Sequence, residues 1–289
     1  MILSKDEILN LTRLPKNFDS NLIDLDYGFQ SKIFPLVSQN IFDELKTEKL
    51  SIYQNLAKAG VLYAFVLDIP KIKVHISNYG INQFEQNKTA KAPWWDVRDL
   101  GLSWLKKADF FLATALKQLG TEANYKTTVD FFNKSFPLIS FEEFDTYYGL
   151  NNSIDSYFTL VQLMNSIWED FQRNFAPCSV DDFLADETLK QYIRGYIINR
   201  ALSDAADYGS LVFLTTGIAY QYEELPWQKS VVLSVRALNS IRAKYRNEAD
   251  YFLKRIFVYL QNNQVLFPCY AQRENNGAKI IKKKGGLFL

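Results

Sequence analysis

The feature that most constrains this chain is an internal repeat. The run Ala108-Asp109-Phe110-Phe111-Leu112 returns as Ala249-Asp250-Tyr251-Phe252-Leu253, and each copy sits in a long helical pattern that closes near Leu119 and Leu260. Before each copy lies a pair of short β-like runs, residues 72–76 then 80–84 in the first and 211–215 then 217–222 in the second, with Gly-Ile opening the second run both times. Before that comes a helical pattern, residues 53–67 and 191–208. Gly80 and Gly217 are 137 positions apart, Ala108 and Ala249 141, so the order of parts survives the duplication. One supersecondary plan used twice is the signature of a modular fold. The expected fold is mainly α with small β-hairpins (α+β), in two similar modules of helix, β-hairpin and long helix. The first module is placed at residues 1–130 with its hairpin near 72–85, the second at 131–269 with its hairpin near 211–222. A basic, apolar-tipped arm follows at 270–289.

The spacing within the helices gives each a buried side. Leu56, Ala59, Gly60, Tyr63, Ala64 and Leu67 recur at intervals of three and four, as do Ile193, Tyr196, Ile197, Ala201 and Leu202, which predicts one apolar stripe per helix. The two long helices are expected to begin at Pro93-Trp94 and near Pro226-Trp227, because proline is tolerated in a first helical turn. The second, running towards Asn262, would be about 50 Å long. Ser140 with Glu143 resembles a capping box, Gly149 a stop, and Asn151-Asn152-Ser153 the next cap. The boundary between modules is expected at residues 120–140.

Composition narrows the chemistry. The 289 residues carry 33 basic and 32 acidic side chains, a formal charge of +1, so there is no basic excess of the kind that drives general binding to nucleic acid or anionic membranes. One histidine and two cysteines cannot supply the four ligands of an ordinary structural zinc site. Any histidine-assisted nucleophilic site would depend on His75 alone, with no motif around it. No metal, no cofactor and no catalytic residues are expected. The opening residues show no secretory signal, and the longest uncharged windows, 208–222 and 256–272, are too short to cross a bilayer of roughly 30 Å. A cytoplasmic product without a transmembrane segment is expected, its Cys178 and Cys269 two small buried hydrophobes rather than a pair.

In the first module residues 41–45 (Ile-Phe-Asp-Glu-Leu) lead to the helix around 56–67, the hairpin, and the Lys91-Ala-Pro-Trp-Trp-Asp96 approach to the long helix. In these residues the sequence resembles the tandem head-to-tail connector, or adaptor, proteins of tailed phages and prophages. In the second module the residues that carry the resemblance are Phe141-Glu-Glu-Phe144 and the Phe-rich helices of 153–177 before Tyr192, so that the likeness covers roughly residues 31–262. It implies a virion structural protein, not an enzyme, made in the host cytoplasm and placed at the neck. There it would form a homo-oligomeric ring, a dodecamer in that class, dock on the portal protein, extend the DNA channel and receive the next neck or tail protein. DNA would be only the passing contents of the channel, and no membrane is involved. Another neck or tail structural role, a cellular helical scaffold that binds proteins as a monomer, and an enzyme using carboxylates between the modules remain open alternatives.

Several residues are candidates for contacts. Val74, Ile76, Ile81 and Phe84, with their counterparts Val212, Leu214, Ile218 and Tyr220, would give the hairpins an apolar face to cover, since a two-stranded ribbon is marginal alone. In the arm, Lys282, Lys283 and Lys284 could touch phosphates, and Leu287, Phe288 and Leu289 could bury in the portal or a neighbouring subunit. His75 is expected at a solvent or interface position, and Trp94-Trp95 as an anchor at a helix start with Asp96 favouring its positive end. Asp68, Asp109, Asp204, Asp207 and Asp250 are read as partners in structural salt bridges.

Overall fold

The computed structural model describes residues 2–12, 23–77, 80–83, 94–150, 152–176, 178–208, 212–213, 218–219 and 235–270. Its elements are, in order, α1 (Lys5–Thr12), α2 (Leu25–Lys32), α3 (Gln39–Glu48), α4 (Leu50–Lys73), β1 (Val74–Ser77), β2 (Gly80–Gln83), α5 (Trp94–Gly120), α6 (Ala123–Thr128), α7 (Asp130–Lys134), α8 (Phe141–Tyr147), α9 (Ile154–Phe175), α10 (Val180–Ala185), α11 (Glu187–Tyr208), β3 (Val212–Phe213), β4 (Ile218–Ala219) and α12 (Val235–Asn262). The chain is mainly helical. It divides into two compact units, the first built on Met1–Thr159 with Gly209–Leu233 and the second on Leu160–Tyr208 with Ser234–Leu289, so one division falls inside α9.

The first unit is organised around α4. Its stretch Leu50–Ile69 is long and apolar enough to cross a membrane by length and composition, yet Leu56, Ala57, Ala59, Val61, Leu62, Ala64, Phe65 and Ile69 are all buried among neighbouring helices. A helix apolar on every side must be covered on every side. Helices α1, α2, α3 and α5 do this. The expectation of a single stripe is therefore corrected here: Ala57, Val61, Leu62 and Phe65 lie off the stripe and are buried, while Leu67 is only half-buried. The neighbours start where the sequence supplies oxygen acceptors to their first N–H groups. Asp24 accepts from Tyr27 N at the start of α2, Ser38 from Ile41 N at α3, and Ser140 with Glu143 closes a capping box at α8. At α9 Ser153 Oγ accepts from Ser156 N, and Asn152 takes the left-handed conformation, φ 63°, that asparagine tolerates.

Helix α5 returns antiparallel along α4, because partners fall in number as α4 rises: Asn55 meets Gln118, Tyr63 meets Asp109, and Phe65 meets Trp104. The two are joined through the β1 and β2 backbone, which pairs antiparallel with Ile76 opposite Ile81 and His75 opposite Asn82. Helix α4 continues to Lys73, past the expected strand start at residue 72. The other end of this unit is an aromatic cluster about Tyr157, fully buried, with Phe131, Phe141, Phe144 and Phe158 around its ring. Its hydroxyl donates to Ile139 O at 2.8 Å and accepts from Phe136 N at 3.3 Å, and burial pushes it up to about 12.

The second unit repeats the antiparallel pair. Tyr192 meets Tyr259, Gly195 meets Phe252, and Ser203 meets Arg242, so α12 returns along α11. Here Leu189, Ile193, Ile197, Ile198, Ala201, Leu202 and Ala205 are buried, which is a one-sided stripe of the expected kind with Tyr196 at its half-exposed margin. The β3 and β4 backbone, which groups with the first unit, pairs antiparallel, Val212 opposite Ala219 and Phe213 opposite Ile218. The described part of α12 begins at Val235; the expected start at Pro226-Trp227 lies outside the described residues. A ladder of rings, Trp168, Phe171, Phe175, Phe183 and Phe267, ties α9 and α10 to the turn after α12.

Cys178 and Cys269 are joined in a disulfide, Cα to Cα 5.1 Å, which corrects the expectation of two unpaired thiols. The cause is the antiparallel return of α12, which brings its end beside the end of α9 across a sequence separation of 91. Spacing along the chain carries no sign of this.

One contact recurs in both units: a ring seated on a glycine. Phe29 lies directly over Gly60 of α4, where an added Cβ would overlap its ring, and Phe252 lies over Gly195 of α11, where a Cβ would come within 2.7 Å. Gly60→Ala is expected to push Phe29 out of its seat and to lower stability by about 1–3 kcal/mol despite the better helix propensity of alanine, read as a shift in the urea unfolding midpoint.

Candidate functional site

In the first unit a tyrosine–aspartate pair links α4 to α5. Tyr63 comes from the middle of α4 and Asp109 from the repeat motif on α5, where Ala108 and Leu112 are buried beside it. The Tyr63 hydroxyl donates to Asp109 Oδ1 at 2.5 Å. Lys32, at the end of α2, pairs with Asp155 in the first turn of α9 and stands 5.9 Å from the centre of the Tyr63 ring. Four helices thus meet at one small polar cluster. Burial pushes the Asp109 carboxyl up to about 7, the Tyr63 hydroxyl opposing and the Asp155 charge assisting; Lys32 pulls it down only weakly. Tyr63 is driven well above its ordinary value by burial and then by the charge of Asp109. Chemically this is a carboxyl that changes between acid and carboxylate near neutral pH, and the setting that shifts it is the helix packing itself.

The second unit does not repeat the pair. Asp250, the counterpart of Asp109, is exposed. Tyr196 on α11 is raised by burial, and its nearby charges are those of Arg200, Asp204, Asp170 and Asp250. Arg200 Nε and Asp204 Oδ2 form an ion pair at 2.9 Å. The two copies of the motif therefore keep the buried alanine, Ala108 and Ala249, and an outward aromatic, Phe110 and Tyr251, but differ in the fate of the aspartate.

Of the five aspartates read as salt-bridge partners, Asp204 fulfils that role. Two are corrected. Asp109 accepts from a tyrosine hydroxyl, because the facing position on α4 is Tyr63 and not a base. Asp68, 2% exposed, accepts from Asp24 N at 2.5 Å and so anchors the start of α2 to α4. The side chain of Asp207 lies outside the described residues.

The expected hairpin contacts are placed only by their backbone: Val74 and Ile76 in β1, Ile81 in β2, Val212 in β3 and Ile218 in β4. Phe84, Leu214 and Tyr220 lie outside the described residues, as do Lys282, Lys283, Lys284, Leu287, Phe288 and Leu289. Trp94, Trp95 and Asp96 form the first turn of α5. Sequence reasoning missed Tyr63, Lys32 and Asp155 as a group. Tyr63 counted there as one more apolar position of the α4 stripe, and only its hydroxyl could have prompted a search for a partner. Among the described residues, no group of three or more His, Cys, Asp or Glu side chains is gathered as a metal site would require.

Compared with known proteins, the chain matches a family of unknown function (DUF6712) in two segments, residues 31–129 and 155–280. The chain belongs to that family. The two segments fall one on each copy of the repeat, the first ending beyond α6 and the second beginning within the first turn of α9. No curated protein and no solved structure matches the chain.

Asp109 gives a pH dependence whose sign is fixed. Its pKa is 3.8 in the ordinary state and about 7 when folded, so between those values the folded chain holds a proton that the unfolded chain has lost. Its contribution is full below pH 4 and falls as pH rises towards 7, by an amount on the order of 2–4 kcal/mol. Asp109→Asn keeps an acceptor for Tyr63 but cannot ionise. Urea unfolding of both proteins at a series of pH values from 4 to 8 should show the variant gaining on the wild type across that window, and a constant difference would remove the assignment.

Proposed function

We propose that the protein is a structural subunit of a tailed-phage virion, a head-to-tail connector that forms a ring at the neck, docks on the portal and receives the next tail component. Within this reading each repeat is a connector-like module whose β-hairpin offers its apolar positions to the channel or to the axial neighbour. The basic arm at 270–289 reaches to the portal or to an adjacent copy. The order of parts in the two copies supports it, and so does the antiparallel helix pair in each unit.

The observation that carries the proposal is the outward side of the long helices. Phe110 on α5 is 54% exposed and Tyr251, at the equivalent repeat position on α12, 49%. On α12 the apolar surface continues: Val258 lies seven positions on and therefore on the same face, and Val265 and Leu266 follow in the turn beyond the helix, 94% and 64% exposed. Large apolar side chains in such a row, with Arg255 held against the Tyr192 and Tyr251 rings, have the character of a protein contact. The occupant we assign is the neighbouring copy. Identical subunits that meet through two unlike surfaces close into a ring.

The decisive measurement is the mass of the purified protein in solution, alone and with a portal protein, followed by negative-stain imaging. Rings, free or on the portal, support the proposal, and a strict monomer indifferent to the portal overturns it. The double change Tyr251→Glu and Val258→Glu is expected to reduce ring formation at least about tenfold while moving stability by no more than about 0.5 kcal/mol per site, because both positions face water in the monomer. Sedimentation and thermal unfolding of the same sample separate the two effects.

A further inference from the structure

The two cysteines occupy unlike positions. Cys178 is buried in the turn that follows α9, its N–H bonded to Phe175 O at 2.9 Å, whereas Cys269, in the turn after α12, is half-exposed. The surroundings hold the two turns together without help from sulfur. Phe183 packs edge-on against both Phe175 and Phe267, the Tyr259 hydroxyl donates to Asp186 at 2.8 Å, and Phe267 and Tyr270 are buried on either side of Cys269. A reduced chain would therefore keep its two thiols within reach of each other. Cys269 stands one residue before the end of the described chain, so the bond fixes the root of the 19-residue segment that carries Lys282, Lys283, Lys284 and the Leu-Phe-Leu tip.

We propose that Cys178 and Cys269 are a reversible thiol–disulfide exchange site, with Cys269 as the thiol that meets a small external disulfide of the glutathione type and Cys178 as the resolving thiol. In the first step the Cys269 thiolate attacks one sulfur of oxidised glutathione, forming a mixed disulfide and releasing one glutathione thiolate. In the second, the Cys178 thiolate attacks Cys269 Sγ, forms the internal bond and expels the second glutathione thiolate. The two cysteine protons end on the two released glutathiones. Two electrons pass from the cysteine sulfurs to the glutathione disulfide, and excess reduced glutathione runs both steps backwards. The order of attack follows from access, since the buried sulfur cannot meet a molecule as large as glutathione while the half-exposed one can. Closure joins the end of α9 to the end of α12 and pins the root of the arm; opening leaves that root held by packing and hydrogen bonds such as those of Phe267 and Tyr259. This site is independent of the assembly reading.

The test uses the full chain, reduced with dithiothreitol, freed of reductant and exposed to mixtures of oxidised and reduced glutathione. Free thiols are then trapped with iodoacetamide and counted by mass. The wild type is expected to pass between two free thiols and none, without dimers linked through sulfur. Cys178→Ser should accumulate one glutathione adduct at Cys269, at least about tenfold faster than Cys269→Ser accumulates one at Cys178. Oxidised wild type should melt several degrees above reduced wild type, with slower hydrogen exchange over Asn263–Tyr270, and the double serine variant should show neither difference. Thiols that stay free in excess oxidised glutathione, equal adduct rates in the two single variants, or identical melting of oxidised and reduced wild type would each overturn the proposal.

Discussion

Helix α4 has almost no side to give to water. From Leu56 to Ile69 its side chains are buried nearly all the way round, and a helix of that kind is stable in an aqueous protein only when other helices enclose it. The rest of the first unit follows from this demand. Helix α5 covers one flank by running back along it, α2 lies close enough for the Phe29 ring to sit on Gly60, and Asp68 reaches out of the same helix to hold Asp24, the residue that caps α2. The second unit faces a weaker demand. Helix α11 buries one stripe, α12 covers it, and the rest of α12 stays open to whatever the protein meets.

Duplication supplied the same antiparallel pair twice, but the two copies have been put to different use. In the first, the motif aspartate is drawn into the packing and meets Tyr63; in the second it stays in solvent, and the nearby charges are settled by Arg200 and Asp204. Setting a carboxyl among apolar helices is costly when it is ionised, which is why Asp109 is shifted towards neutrality and why it bonds a hydroxyl rather than a cation. The outward aromatic of the motif is kept in both copies. That is consistent with a surface role for Phe110 and Tyr251, since neither contributes much to the core of its own unit.

Much of the fold was legible because it rests on local rules. The 3.6 periodicity of α11, the capping box at Ser140 and Glu143 and the start of α5 at Trp94 all depend on residues close in sequence. The candidate site was legible only in fragments. Asp109 stood out through the repeated motif, but Tyr63 was read as one more member of an apolar stripe, and nothing near Lys32 or Asp155 in the chain pointed to them. Their meeting depends on the register of four helices, and register is a property of packed surfaces.

By itself, then, the sequence determined that this chain is a mainly helical duplication with two long helices, because hydrophobic spacing and terminal caps act within one or two turns of a helix. Tertiary structure alone decided three things: that α4 is enclosed rather than striped, that Asp109 and Tyr63 share a proton environment, and that Cys178 and Cys269 are bonded. Each is a meeting of residues far apart in the chain, 46 positions for the polar pair and 91 for the cysteines, and each is fixed only when antiparallel helices settle against one another at a definite register.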